Sequence, residues 1–274
     1  MTAAASAVAP AAQPSKRPRR GLPFLRAYYW VLIALLFLPI GLLFIFSFND
    51  SRILALPFTG FTLRWYQQLF ATPALLRAAG ASLAVAFTSS LVATALGTMV
   101  ALLISRFAFR FKAALIGLSV LPLVVPFVVL AGALLILFHA LGIELSLVTV
   151  GAAHAIVALP YALLIILTRL IGFERNVEDA AMDLGATYAT TLRLIVLPMI
   201  APSIVAAWLT AFTVSFDEFA LANFLAGRQP TFPVYLFGQL RFTQSLPVLI
   251  AAAVLLMTGT ILLVLLSERI RRIR

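Results

Sequence analysis

Six long apolar runs, separated by shorter polar stretches, dominate the pattern along the chain. Each run has about 20 residues or more, enough for a helix to cross ~30 Å of hydrocarbon at about 1.5 Å per residue. The runs are Tyr28–Phe48, Ala78–Ile104, Ala113–Phe138, Leu147–Leu167, Ile200–Phe224 and Leu246–Leu266. They predict an all-α membrane protein with six transmembrane helices. Pro122 and Pro126 predict a kink in the third run.

The composition supports lipid as the main solvent. Hydrophobic residues make up 63% of the chain and charged residues 11%, whereas soluble domains carry about 25% charged residues. Cysteine is absent, which excludes a disulfide framework and a thiolate metal site. The two histidines are far apart along the chain, with His139 directly after the third run and His154 in the fourth, so the sequence predicts no metal site and no cofactor.

Basic residues predict the orientation of the helices. Five of the 20 Lys and Arg residues fall on one side of the predicted membrane: Arg52, Arg64, Arg77, Arg228 and Arg241. The remaining 15 fall on the other side, which the positive-inside rule assigns to the cytoplasm. Both termini are then cytoplasmic. The net charge of +11 is explained by these flanks, so we predict no nucleic-acid partner.

The N-terminal region has a composition of its own. Residues 1–27 are rich in Ala, Pro and basic residues and cannot form a core, so they are predicted to be a disordered basic cytoplasmic tail. Residues 28–274 are predicted to form the transmembrane domain. Between the first two spans, Trp65 and Tyr66 indicate either a short interfacial helix or a loop anchored in the aromatic belt of the membrane.

One cytoplasmic connection, residues 169–199, is longer and more structured in pattern than the others. Asn176 is a good N-cap, and Glu178 and Asp179 fall in the first turn, where carboxylates favour the helix dipole. Gly185 fits the position after a helix where a left-handed conformation is required. Thr187 can cap a second helix that leads into the fifth span. The pattern predicts two short helices joined by a sharp elbow.

The spacing in this connection resembles the signature loop of the permease subunits of binding-protein-dependent ABC importers. That signature is Glu-Ala-Ala, three residues, Gly, nine residues, Ile, one residue and Leu-Pro. The matching residues here are Asp179, Ala180, Ala181, Gly185, Ile195, Leu197 and Pro198, with Asp in place of Glu at 179. The resemblance implies a type I ABC importer permease fold in a bacterial inner membrane, with this loop docking the ATPase.

The resemblance also implies a set of partners. These are two ATPase subunits, a second homologous permease subunit and a periplasmic substrate-binding protein. The chain has no Walker-type phosphate loop, so we do not expect it to be an enzyme, and ATP must be bound by another chain.

Further motifs resemble the spermidine/putrescine permease family. They are Ser47-Phe48-Asn49, Phe61 to Tyr66, Ser215 to Phe219, and Phe224 to Gly227. This resemblance implies a polyamine as the solute. Many members carry a carboxylate where this chain has Phe127, so an opine, a metal chelate or an oxyanion stays open as the solute.

Two acidic residues, Asp217 and Glu218, lie near the outer end of the fifth run, where a charge in lipid would be costly. A carboxylate here either faces a cation in the translocation path or lies in headgroup water. Both readings stay open for Asp217, and headgroup water is favoured for Glu218. His154 is predicted to be a packing residue. A secondary transporter would require inverted repeats, and an intramembrane protease would require paired catalytic groups; the sequence pairs neither Asp217 nor Glu218 with His154.

Overall fold

The structure is a computed structural model, and it describes residues 23–52, 57–172 and 175–272. The chain divides into two compact units, residues 1–43 and residues 44–274. The described part of the first unit, residues 23–43, is helical throughout. In the described part of the second unit, helices dominate, and the one β-bridge pairs Asn49 with Phe61. The predicted all-α class is confirmed.

The helices are numbered α1 to α12 in chain order. Their bounds are α1 Pro23–Ser47, α2 Arg64–Phe70, α3 Pro73–Arg106, α4 Lys112–Val120, α5 Phe127–Ala140, α6 Leu147–Ile171, α7 Asn176–Asp183, α8 Tyr188–Thr191, α9 Leu197–Phe216, α10 Ala220–Leu225, α11 Phe232–Gln239 and α12 Leu246–Arg272. A π-helical turn, Leu192–Val196, joins α8 to α9, so the two form one continuous rod.

Five stretches of the described chain are long and apolar enough to cross a membrane unbroken: Phe24–Ser47, Pro73–Arg106, Leu147–Ile171, Tyr188–Phe216 and Thr243–Leu266. Several bounds differ from prediction; the fifth span, for example, begins at Tyr188 instead of Ile200. Helix α1 begins at Pro23, so residues 23–27 are helical rather than part of a tail, while residues 1–22 of that predicted tail lie outside the described residues. The fifth span ends at Phe216, and Phe224 belongs to the separate helix α10.

The third predicted span is broken rather than kinked. Lys112–Leu123 and Phe127–Ala140 meet at a bend of 106°. Pro126 has no N–H, and its ring pushes the preceding residue out of the helical region, so α4 cannot continue through it. The carbonyl of Pro126 instead accepts from the N–H groups of Val129 and Leu130 and starts α5. Counting the bent pair as one crossing gives the six predicted spans.

Helices α3, α6 and α9 form the core of the second unit. Small residues let α3 and α6 approach closely: a Cβ added at Gly97 would lie 3.0 Å from the backbone nitrogen of Leu163 and 3.1 Å from the Cβ of Ala162. Close packing of small residues is the usual way in which helices associate in lipid, where apolar burial alone gives no driving force. Buried Ala93, Ala101 and Ala158 continue this contact.

The segment that follows α1 folds back on itself at one end of the bundle. The side-chain Oδ1 of Asn49 accepts from the backbone N and the hydroxyl of Thr59, both at 2.9 Å. Trp65 donates its indole N–H to the carbonyl of Asn49 at 2.8 Å and is 4% exposed. The helical alternative for this segment is therefore confirmed by α2, whereas Trp65 is a buried packing residue and not a membrane-belt anchor.

Candidate functional site

The predicted elbow in the loop of residues 169–199 is present. Helix α7 carries Glu178 and Asp179 in its first turn, as predicted. Its N-cap is Arg175, which makes no side-chain capping bond, so the prediction of Asn176 as the N-cap is wrong by one residue. The acidic first turn still favours the positive end of the helix dipole.

Gly185 ends α7 in the left-handed conformation, with φ of +90°. The N–H of Ala186 bonds to the carbonyl of Ala181 at 3.0 Å, and the N–H of Gly185 bonds to that of Met182 at 2.9 Å. These two bonds form a Schellman motif, which satisfies the last carbonyls of a helix and reverses the chain. Gly185 is therefore the hinge of the elbow, as its place in the sequence predicted.

The second arm of the elbow is the rod of α8 and α9. Thr187 is its N-cap, and the Thr187 hydroxyl accepts from the N–H of Thr190 at 3.2 Å. Ile195 lies in the π-helical turn, and this turn is followed directly by Leu197 and Pro198. Pro198 has no N–H to bond the carbonyl four residues back, and its ring crowds that carbonyl. The wider π-helical turn coincides with this interruption in the hydrogen bonds. The second arm of the elbow therefore continues without a break into the fifth span.

We call Asp179, Ala180, Ala181 and Gly185 the elbow face. Asp179, Ala180 and Gly185 are exposed, and Ala181 is half-buried. An added Cβ at Gly185 would meet nothing within 4 Å. The face therefore combines small side chains, open space and one carboxylate, which suits the close approach of another protein.

Glu178, next to the elbow face, is directed into the bundle. Its side chain is 7% exposed and forms an ion pair with Arg106, whose side chain is also 7% exposed. Arg106 is the last residue of α3, and its Nη1 also lies 3.5 Å from the carbonyl of Leu170 at the end of α6. Arg175 donates to the carbonyl of Ser105. The sequence pattern did not reveal these contacts, because the partners are distant along the chain.

The two acidic residues that follow α9 differ in environment. Asp217 is exposed at the C-cap of α9, and its Oδ1 lies 3.5 Å from the hydroxyl of Thr260 on α12. Glu218 is buried, with its side chain 3% exposed. The prediction that Glu218 lies in headgroup water is therefore wrong: its Oε2 accepts from the backbone N–H groups of Leu221 at 2.9 Å and Ala222 at 3.2 Å, and so caps α10.

Glu218 belongs to a buried polar cluster that joins four helical segments. Nδ1 of His154 lies 2.8 Å from the hydroxyl of Ser215, which lies 2.8 Å from the hydroxyl of Ser89. Nε2 of His154 is 3.3 Å from Oε2 of Glu218 but is not aligned for a hydrogen bond with any described residue. The predicted packing role of His154 agrees with its exposure of 1%.

The cluster has the residue types of a catalytic triad, a pairing that the sequence did not indicate. Its geometry does not suit hydrolysis. All four side chains are buried, and the N–H groups of Leu221 and Ala222, which lie beside it, are bonded to Glu218 rather than directed at a substrate. In an oxyanion hole such donors must be free for the developing charge. The cluster therefore holds helices together.

The loop after α10 is fixed against the start of α6. The hydroxyl of Thr149 donates to the carbonyl of Leu225 at 2.9 Å. Gly227 has φ of +63°, and a Cβ added there would lie 2.2 Å from the carbonyl oxygen of Leu145. The glycine that ends the Phe224 to Gly227 motif is thus required by a close backbone approach. Among the described residues, no group of three His, Asp or Glu side chains is placed to hold a metal ion.

Sequence comparison places the chain among transport proteins. Residues 93–273 match the family described as binding-protein-dependent transport system inner membrane component. The chain is 36% identical over 251 residues, 91% of its length and 97% of the relative's, to the spermidine/putrescine transport system permease protein PotC of Haemophilus influenzae. It is 36% identical over 233 residues, 80% and 83% of the two lengths, to the putrescine transport system permease protein PotI of Escherichia coli.

Solved structures with a similar fold are also transporters. A chain of a bacterial ABC transporter that imports the acidic polysaccharide alginate aligns with a TM-score of 0.69 at 17% identity, over 92% of this chain and 94% of that one. A bacterial alginate ABC transporter in complex with an alginate pentasaccharide-bound periplasmic protein gives 0.68, at 17% identity and over 91% and 92%. A methionine ABC transporter in inward-facing conformations gives 0.63, at 17% identity and over 73% and 96%.

Proposed function

The chain belongs to the family of binding-protein-dependent transport system inner membrane components, and we propose that it forms one half of the translocation path of a polyamine importer. It is a multi-pass protein of the inner membrane and a transport component of an ABC importer. Both termini lie in the cytoplasm in this proposal, as the distribution of basic residues favours.

The observation that carries the coupling role is the geometry of the elbow. The elbow face is open to a partner, while the Schellman motif and the Glu178 contact hold its position. The second arm runs without a break into the fifth span. A separate ATPase subunit bound to this face would therefore move a membrane helix directly, which a transporter without its own nucleotide site requires.

The proposed complex contains this chain, a second homologous permease, two ATPase subunits and a periplasmic binding protein. Support for the binding protein comes from the family description and from the alginate transporter, whose structure includes a periplasmic protein. The second permease completes a path that one chain of this size cannot enclose by itself. Lipid surrounds the assembly, and nucleic acid has no part in it.

Support for a polyamine solute comes from relatives of spermidine and putrescine systems that match most of the chain. Asp217 is the candidate contact for the cation in the translocation path, because it is the exposed one of the acidic pair. Glu218 is buried and caps α10, so it would affect the translocation path only by fixing the segment that carries Asp217. The test is uptake of labelled putrescine and spermidine by the reconstituted complex, with an opine, a ferric chelate and sulfate as competitors. If one of these competitors reduces uptake and unlabelled polyamine does not, the polyamine assignment is contradicted.

The docking role is tested by Ala181→Asp. A second carboxylate beside Asp179 on a surface that packs closely should repel the ATPase, so the variant should insert in the membrane but lose ATPase in co-purification. Ala71→Asp, an exposed position at the C-cap of α2, is the matched control and should retain it. Equal ATPase recovery from both variants would show that the elbow face is not the docking site.

A further inference from the structure

Helix α7, which carries most of the elbow face, is attached to the bundle at two places. One is the elbow at its end, and the other is its first turn. The elbow connects the end of α7 to the fifth span through Gly185. The beginning of α7 is tied to α3 by the buried pair of Glu178 and Arg106. Because these attachments lie at opposite ends of α7, a push on the helix reaches two different transmembrane segments.

Burial makes the Arg106–Glu178 attachment a defined one. Exposed ion pairs contribute little, because water and salt screen them and the side chains remain mobile. Here both side chains are 7% exposed, so neither can leave the contact without stranding the other charge away from water. Each charge also complements a helix dipole, with Arg106 at the C-terminus of α3 and Glu178 in the first turn of α7.

Two further contacts support this connection. Nη1 of Arg106 approaches the carbonyl of Leu170, which joins the end of α6 to the same point. The ring of Phe107, which follows α3, packs edge-on against Tyr188 at 5.9 Å, on the second arm of the elbow. The end of α3 is therefore held between both arms.

We propose that Arg106 and Glu178 are positioning residues that transmit the movement of α7 to α3 and α6, so that the core helices α3, α6 and α9 move together. This inference rests on the proposed docking of an ATPase on the elbow face. The two adjacent acidic residues have different roles: Asp179 faces the partner, and Glu178 holds α7 to the bundle. A break at Glu178 leaves the partner bound and lets α7 move without carrying α3.

The experiment uses the complete complex, reconstituted in proteoliposomes with its binding protein. Glu178→Gln removes one charge at nearly constant shape, and Arg106→Gln removes the other with a shorter polar side chain. Arg106→Glu with Glu178→Arg exchanges the charges. Arg110→Gln, in the loop just beyond α3, is the matched control. Three quantities are measured: ATPase co-purification, ATP hydrolysis with and without the binding protein, and spermidine uptake per ATP hydrolysed.

We expect both single variants to retain the ATPase and, without the binding protein, to hydrolyse ATP at a rate within about two-fold of that of the unmodified complex. Uptake per ATP, and the stimulation of hydrolysis by the binding protein, should fall ten-fold or more. The charge exchange should restore at least half of the lost ratio, and Arg110→Gln should match the unmodified protein. A structural role alone would lower assembly and both rates together without changing the ratio.

Three results would overturn the inference: an unchanged ratio in both single variants, no recovery in an assembled charge-exchange variant, or loss of assembly in both single variants, which would make the pair a folding contact. Failure of the proposed function gives a different result. In that case the ATPase does not co-purify with the unmodified chain, or Ala181→Asp retains it.

Discussion

Oε2 of Glu218 lies 3.3 Å from Nε2 of His154 and at the same time accepts the N–H groups that begin α10. His154 lies on α6 and contacts Ser215 at the end of α9. One carboxylate therefore ties the break between α9 and α10 to the neighbouring core helix. The relationship explains why a costly acidic residue is retained next to an apolar span.

Removal of this carboxylate should destabilise the end of the bundle where α9 meets α10. Glu218→Ala leaves two buried N–H groups without an acceptor, at a cost of about 1–3 kcal/mol each. Glu218→Gln keeps a carbonyl oxygen as acceptor and should cost less. Thermal unfolding of the purified protein in detergent, followed by tryptophan fluorescence, measures the order. Asp217→Ala, at the exposed neighbour, is the control, and an equal fall in Tm for both alanine variants would contradict the capping role.

The conformation of Gly185 gives a prediction that is independent of steric crowding. No atom lies within 4 Å of an added Cβ, so Gly185→Ala should cost about 1 kcal/mol through positive φ alone.

Gly185→Asp adds a charge beside Asp183 and should abolish transport with loss of ATPase in co-purification. Gly185→Asn should retain more ATPase than Gly185→Ala, because Asn tolerates the left-handed region. Gly117→Ala, at an open helical glycine, should leave retention unchanged; retention that is independent of the residue at 185 would rule out the hinge.

The broken third span makes the topology testable at its two ends. If α4 and α5 together cross the membrane, reporter fusions at Arg110 and Glu144 lie on opposite sides. We expect a cytoplasmic signal at Arg110 and Arg193, and an outside signal at Arg64, Glu144 and Gln229, because basic residues concentrate on the cytoplasmic side. The same signal at Arg110 and Glu144 would instead identify the bent pair as a re-entrant loop.

Asp217 should affect uptake without affecting assembly. The residue is exposed and makes one long contact with Thr260, so Asp217→Asn removes a charge with little loss of packing. If the carboxylate attracts a cation, uptake of labelled spermidine should fall about ten-fold while the ATPase remains bound and basal hydrolysis persists. Thr260→Val tests the contact itself and should leave uptake near normal. Uptake by Asp217→Asn equal to that of the unmodified protein would place the carboxylate outside the path.

Close packing of α3 on α6 makes Gly97 sensitive to a single methyl group. Gly97→Ala places a Cβ 3.0 Å from the backbone nitrogen of Leu163, so the helices must separate, at a cost of about 1–3 kcal/mol. Gly80→Ala, on the same helix, adds a methyl group with no atom within 4 Å and should leave Tm unchanged or slightly higher. Equal Tm for the two variants would show that α3 and α6 are not packed this closely.

Features that depend on short stretches of chain were predictable. Apolar runs predicted the spans because lipid demands about 20 residues of helix, and the spacing of Asp179, Gly185 and Thr187 predicted the elbow because caps act within a few residues. Prediction was poorer at positions where two local conformations are both compatible with the sequence. Pro122 and Pro126 were expected to kink the third span, but the span breaks there and Pro126 caps the start of α5. Asn176 was displaced from the N-cap by Arg175.

The sequence by itself determined that this is a membrane helix bundle with a capped elbow before the fifth span, since helix length, caps and turns follow from neighbouring residues. Tertiary structure decided which acid of each adjacent pair is buried. Glu178 and Asp179 point about 100° apart on α7, whereas Asp217 and Glu218 lie in the turn between α9 and α10. In each pair one side chain is buried and the other is exposed. The choice depends on Arg106 and His154, which lie on other helices, and no local pattern records which helices will meet.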